Sequence, residues 1–191
     1  IVLGRPMELM DFRQIQWPGH GVDDNASFQY LDKEYMTADE YDDYLLDPTG
    51  FFLHTYMPRL AGAFRAFKNL PDFPSLYQSK FVHSLVAYAN PETRAGFAEL
   101  FAAADAMAET FAKIGAQVKQ LTEAGIPIGM GGRTGAPFDH FADYLRGSKG
   151  AMLDMYRRPD TLLKAMEKAR ILLTRDAIEA AAGKPGDHVF I

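Results

Sequence analysis

The stretch from Ile126 to Pro159, IPIGMGGRTGAPFDHFADYLRGSKGAMLDMYRRP, places the tightest limits on how this chain can fold. Ile126, Ile128 and Met130 alternate with Pro127 and glycine, between Gly125 and Gly131-Gly132, the pattern of a buried strand bounded by breakers. Gly135-Ala136-Pro137 resets the backbone, after which Phe138, Phe141 and Leu145 fall at helical spacing. Strand, glycine-rich loop and helix in that order predict an α/β unit, and in α/β enzymes ligands bind at such loops, beyond the strand's C-terminal end.

The flanking segments extend this reading. Asn90-Pro91-Glu92 supplies a cap, a first-turn proline and a first-turn acid. The helix they predict runs to Ala124, with Phe97, Leu100, Phe101, Ala104, Met107, Ala108, Phe111, Ile114, Val118 and Leu121 as its inward face, and Gly125 ends it in a left-handed conformation. Pro159 and Asp160 open another helix, carrying Leu162, Leu163, Met166, Leu173, Ala177 and Ile178 inward until Gly183-Lys184-Pro185-Gly186 stops it, and the last residues begin a strand. Residues 91–191 therefore read as βα units of a parallel sheet or barrel.

Residues 1–90 read as a helical and extended decoration. Met7 to Phe12 is predicted extended, Trp17 to Gly21 a loop, and Phe28 to Leu31 a short extended return. Thr37-Ala38-Asp39-Glu40 is a capping box for a helix bearing Tyr41, Tyr44 and Leu45. Asp47-Pro48 starts the next helix, whose stripe of Phe52, Tyr56, Leu60 and Phe64 is interrupted at Pro58. Leu70 to Pro74 is a linker, followed by a helix through Leu85.

Three segments in order, Gly135-Ala136-Pro137-Phe138, Asp143-Tyr144-Leu145-Arg146-Gly147 and Asp154-Met155-Tyr156-Arg157-Arg158-Pro159, resemble the uroporphyrinogen decarboxylase superfamily. The resemblance implies an α/β fold, part of a (β/α)8 TIM barrel with an added mainly helical N-terminal segment. It implies an enzyme of one of two kinds: a methyltransferase exchanging a methyl group with a corrinoid, or a uroporphyrinogen III decarboxylase. A non-catalytic assembly or tetrapyrrole-binding domain is the third reading. In the decarboxylases a tyrosine follows the Gly-Ala-Pro segment, and that place is Asp143 here, with Tyr144 one residue later; the departure favours methyl transfer. Corrinoid and zinc belong to the full-length protein that the resemblance implies, with no cofactor or metal ligands expected within this chain. A tetrapyrrole or corrinoid, as small molecule or carried on a protein, is the partner it implies.

The candidate site residues follow. Gly131, Gly132 and Arg133 form a loop where backbone N–H groups and a guanidinium could grip a carboxylate, or an ordinary turn with a solvated arginine. Asp139, Asp143 and Tyr144 are candidate catalytic groups; the plainer reading is a helix-dipole carboxylate and a surface Asp143–Arg146 pair. Arg146 and His20, the latter between two glycines, are candidate ligand-binding residues. Asp154 with Arg157-Arg158 is read as a salt-bridge and capping cluster, or as a face toward an anionic ligand.

Composition excludes some classes. A net charge of −5 without a basic stripe argues against nucleic-acid binding. The 191 residues contain no cysteine, so disulfides and thiolate metal sites cannot form within them. No apolar run approaches a membrane span and no signal-peptide pattern is present, giving a cytoplasmic expectation. The apolar Ile1-Val2-Leu3 and the strand-like Asp187 to Ile191 suggest an excerpt of a longer protein, and an open barrel fragment would expose core surface, so a homo-oligomer is expected.

Overall fold

The computed structural model describes residues 3–126, 132–181 and 189–190, and the chain divides into two compact units, residues 1–31 with 47–111 and residues 32–46 with 112–191. The long helix Pro91–Glu123 contributes its first two-thirds to unit 1 and its end to unit 2. Helix of all kinds makes up 71% and strand 6%, so the class is mostly helical. The expected (β/α)8 barrel is corrected on this point: closure needs eight parallel strands, and the described residues form one sheet of three strands and one of two.

Unit 1 opens with a helix, Gly4–Leu9, in place of the predicted extended arm. Gly4, Pro6 and Met7 turn inward together, and Asp11, at φ 51°, ends the turn in a left-handed conformation that aspartate tolerates. Strand Ile15–Pro18 then lies between Gly21–Val22 and Gln29–Tyr30, pairing parallel to the first and antiparallel to the second. Trp17, predicted in a loop, is thereby buried in a strand.

Asp47 caps the next helix, its side chain accepting from the Gly50 N–H at 2.9 Å, with Pro48 in the first turn. A π-turn at Phe52–Tyr56 precedes Met57–Leu60. Pro58 cannot donate to the His54 carbonyl, and the ladder widens in the preceding turn. Tyr56, Leu60, Ala63, Ala66 and Phe67 are buried, and Phe67 meets Phe97 at 5.1 Å between ring centroids. Gly96 makes this approach possible, because a Cβ there would sit 2.2 Å from the Ala63 carbonyl oxygen. The helix predicted through Leu85 is broken into Phe73–Ser75, Lys80–Ser84 and Leu85–Ala89, with Gln78 at φ 56° between the first two.

The long helix begins as its sequence requires, the Asn90 side chain accepting from Glu92 N–H at 2.8 Å. It ends in a Schellman pair, Gly125 N–H to Thr122 O and Ile126 N–H to Leu121 O, both 3.0 Å, with Gly125 at φ 78°. Its predicted apolar face is mostly uncovered: Thr93, Gly96 and Ala103 are buried, whereas Phe101, Phe111, Val118 and Leu121 are exposed.

In unit 2, half of the capping box forms: Glu40 reaches back to the Thr37 N–H at 2.7 Å. The helix Tyr41–Leu46 follows, and Tyr41 and Tyr44 bury their rings against Phe141, 5.9 and 5.4 Å away. Of the strand predicted from Ile126 to Met130, residues 127–130 lie outside the described residues, as do the stop at Gly183 to Gly186 and His188. The strand predicted at the chain's end is present as Val189–Phe190, parallel to Gly132–Arg133. Between them run Pro137–Asp139, a π-turn at His140–Leu145, and helices Gly147–Arg157 and Pro159–Ala181. The last buries Leu162, Ala165 and Ala169, offset from the predicted face, so that Leu163 and Ile178 are exposed.

Candidate functional site

Arg146 anchors a polar network inside unit 2. It follows the π-turn, where its N–H bonds the Phe141 carbonyl five residues back at 2.7 Å, and only 4% of the residue remains exposed. Gly147 comes next at φ 68°; a Cβ there would lie 3.0 Å from the Asp32 carboxylate and 3.2 Å from the Lys33 carbonyl carbon. Glycine is thus demanded twice, by φ and by space. At Gly150 a Cβ would press on the Arg146 guanidinium at 3.3 Å.

The guanidinium donates through Nε to Asp154 Oδ2 at 2.6 Å and through Nη1 to the Met36 carbonyl at 2.5 Å and to Glu34. Asp154, also buried, accepts from the Tyr41 hydroxyl at 2.9 Å and lies 3.6 Å from Arg158 Nε. Arg158 donates in addition to the Ala38 carbonyl. Burying one charge unpaired would cost several kcal/mol, and here both are paired and hydrogen-bonded. Burial, with the charged Asp154 beside it, pushes the Tyr41 hydroxyl pKa far above its ordinary value. The Arg146 pKa is raised: burial works against the charge, but hydrogen bonds to Asp154 and Glu34 outweigh it.

Residues 32–38 form a strap held to the helical layer by this network. The Tyr35 and Met36 N–H groups both reach the Leu145 carbonyl, at 2.8 and 2.7 Å, and Asp32 accepts from Ser148 N–H at 2.8 Å. Strap and helix Gly147–Arg157 together enclose an open cavity of about 450 Å³. Its helix side combines a face of Arg146, Gly150, Leu153, Asp154 and Arg157, at spacings of three and four, with Gly147 and Lys149 in the first turn.

The cavity carries surplus positive charge. Its lining has five cations, Lys33, Arg146, Lys149, Arg157 and Arg158, against three carboxylates, Asp32, Glu34 and Asp154; Arg146 and Arg158 pair with Glu34 and Asp154, while Asp32 keeps its charge and accepts from the Ser148 amide. Lys33, Lys149 and Arg157, exposed at the rim, have no carboxylate partner among the described residues. The Arg146 guanidinium also interacts with the Tyr41 hydroxyl, and its donation to Asp154, Glu34 and Met36 runs through Nε and Nη1, not through Nη2. A buried guanidinium with one open donor beneath three free cations can hold an anion, and carboxylate suits the fork geometry.

The residues predicted from sequence scatter around this centre. Arg146 is in the cavity, as its floor, and bonds Asp154 rather than forming a surface pair with Asp143. Asp139, Asp143 and Tyr144 do not line it. Asp143 has its pKa raised by lost hydration and by the negative charge of Asp139 and Asp32. His140, beside them, has its pKa lowered by burial. Gly132 and Arg133 pair in backbone register with Val189 and Phe190, while Gly131 lies outside the described residues. His20 belongs to unit 1, where it stacks on Trp17 at 4.8 Å and pairs with Glu8 at 2.9 Å. Of the cluster read from Asp154 with Arg157-Arg158, the Asp154–Arg158 pair forms, at 3.6 Å, while Arg157 has no carboxylate partner among the described residues.

Lys33, Glu34 and Lys149 were not singled out by sequence. Lys149 has a visible signal, a lysine framed by Gly147 and Gly150, but the Asp32-Lys33-Glu34 run reads as a solvated turn until the strap places it over the helix. No helix among the described residues is long and apolar enough to cross a membrane. Comparison of the chain with family models, curated proteins and solved structures finds no match in any of the three.

Proposed function

We propose that unit 2 binds a carboxylate-bearing small molecule of the tetrapyrrole class in the cavity between strap and helix. The observation that carries this reading is the net positive lining, in which Lys33, Lys149 and Arg157 have no ion-pair partner among the described residues and Asp32 offsets only one of them, around the open Nη2 of buried Arg146. A cavity of this size admits the acidic edge of such a ligand, within the range of small-molecule sites. Methyl transfer with a corrinoid is the reaction proposed for a protein that contains it, supported by the order of the segments from Gly135 to Pro159; uroporphyrinogen decarboxylation is the alternative. The cavity's donors are cationic and its carboxylates engaged, which does not fit zinc, so zinc has no part in the chemistry proposed for these residues.

Titration with coproporphyrin, a tetrapyrrole with four propionates, followed by its Soret band, tests the reading. Lys149→Ala with Arg157→Ala should weaken binding by about tenfold or more and flatten its salt dependence. No band shift with the unaltered chain, or equal affinity in the double variant, would overturn it.

A further inference from the structure

Of the carboxylates on Arg146, Glu34 is the exposed one: its side chain is 50% accessible against 3% for Asp154. Glu34, half-exposed on the strap, places its carboxylate on Arg146 Nη1, while the neighbouring Nη2 is open. A carboxylate binding a guanidinium best uses two parallel N–H donors. With Glu34 in place, an incoming carboxylate at the Nη1–Nη2 edge finds one donor occupied and a like charge beside it. We infer that Glu34 is a built-in competitor at the anion seat, which the ligand must displace from Arg146 to bind bidentately.

The other contacts of the guanidinium do not share this exposure to exchange. Asp154 is buried, receives Tyr41 and lies beside Arg158 as well, so it stays when Glu34 leaves. The strap keeps its place without Glu34 through the Tyr35 and Met36 amides, the Ala38 carbonyl and Asp32. Displacement therefore needs only a side-chain rotation. The freed carboxylate enters water, where half of its side chain already lies. Competition of this kind favours ligands carrying several carboxylates, since Lys33, Lys149 and Arg157 hold the second group while the first exchanges with Glu34. This inference rests on the binding reading above.

The test is Glu34→Gln, which keeps shape and removes the charge, titrated with coproporphyrin and separately with tricarballylate, a small tricarboxylate without a macrocycle. Removing the like charge should tighten both by about tenfold. Tightening of tricarballylate alone would still support the competitor and assign the seat to small polycarboxylates. If the unaltered chain binds but Glu34→Gln binds equally or more weakly, Glu34 is a structural partner of Arg146 and the inference fails while the binding reading stands. If neither form binds either probe, both fail. Should Glu34→Gln not fold, ¹³C spectra of the Glu34 side-chain carboxylate in the unaltered chain decide: saturating coproporphyrin should move that resonance to its free-solution position, and an unmoved resonance would overturn the inference.

Discussion

Unit 1 closes its interior on Tyr56, Leu60, Phe67 and the bare backbone of Gly96, whereas unit 2 sets Arg146 and Asp154 into an interior that Tyr41, Tyr44, Phe141 and Leu145 otherwise keep apolar. Unit 1 buries Gln14 and Thr93 among its described polar side chains, both uncharged, whereas unit 2 buries a full ion pair. Apolar packing tolerates substitution when volume is kept. A buried ion pair is a poor source of stability compared with packed hydrocarbon, and it becomes a large liability once one partner is removed. An expense of that kind is expected at a site that does something other than hold the fold together, and the cavity sits at that pair.

The contrast can be broken most forcefully at Asp154. Asp154→Ala leaves Arg146 buried without its main counter-charge and should destabilise unit 2 by about 3–5 kcal/mol. Hydrogen exchange should show lost protection at Phe141, Leu145 and Leu162, with protection at Leu60 and Phe67 retained. Uniform loss across both units would contradict the division of labour. At Gly96, on the apolar side, an added methyl would collide with the Ala63 carbonyl, so Gly96→Ala should cost about 1–3 kcal/mol and act on unit 1, read by the same exchange pattern reversed.

The smallest effect is a pH dependence confined to unit 2. Burial raises the pKa of Tyr35, and that of Tyr44 up to about 12. The unfolded chain releases these protons near pH 10 while the folded chain keeps them. Stability is therefore full below pH 10 and falls as pH rises from there through the folded value. Tyr44→Phe should blunt the alkaline loss in a denaturation series above pH 10, and an unchanged alkaline limb would show that Tyr44 does not carry it.

What could be read in the sequence was local. Asn90, Pro91 and Gly125 fixed both ends of the long helix, and Asp47-Pro48 fixed another start, because caps depend on a few adjacent residues. Burial was harder: the apolar period from Phe97 to Leu121 marks a face but does not say what covers it, and Phe101 and Phe111 are exposed. The barrel expectation came from the resemblance carried by three short segments between Gly135 and Pro159, joined to one strand–loop–helix pattern that many folds share. Within the site, Arg146 was visible as a residue but not in its role. Its partners Glu34, Met36 and Tyr41 lie more than a hundred positions away, a pairing that no spacing rule reports. The Arg146-Gly147 step carried a clue, since glycine after a buried arginine marks the close pass of the strap.

Nitrogen-15 spectra of the arginine side chains, recorded as coproporphyrin is added, test the central claim most directly. The account predicts that Arg146 and Arg157 shift with the same saturation curve, while Arg13 of unit 1, paired with Asp11, stays still. A ligand that shifts Arg13 or the Trp17 indole and leaves Arg146 unmoved would place binding in unit 1 and contradict the account.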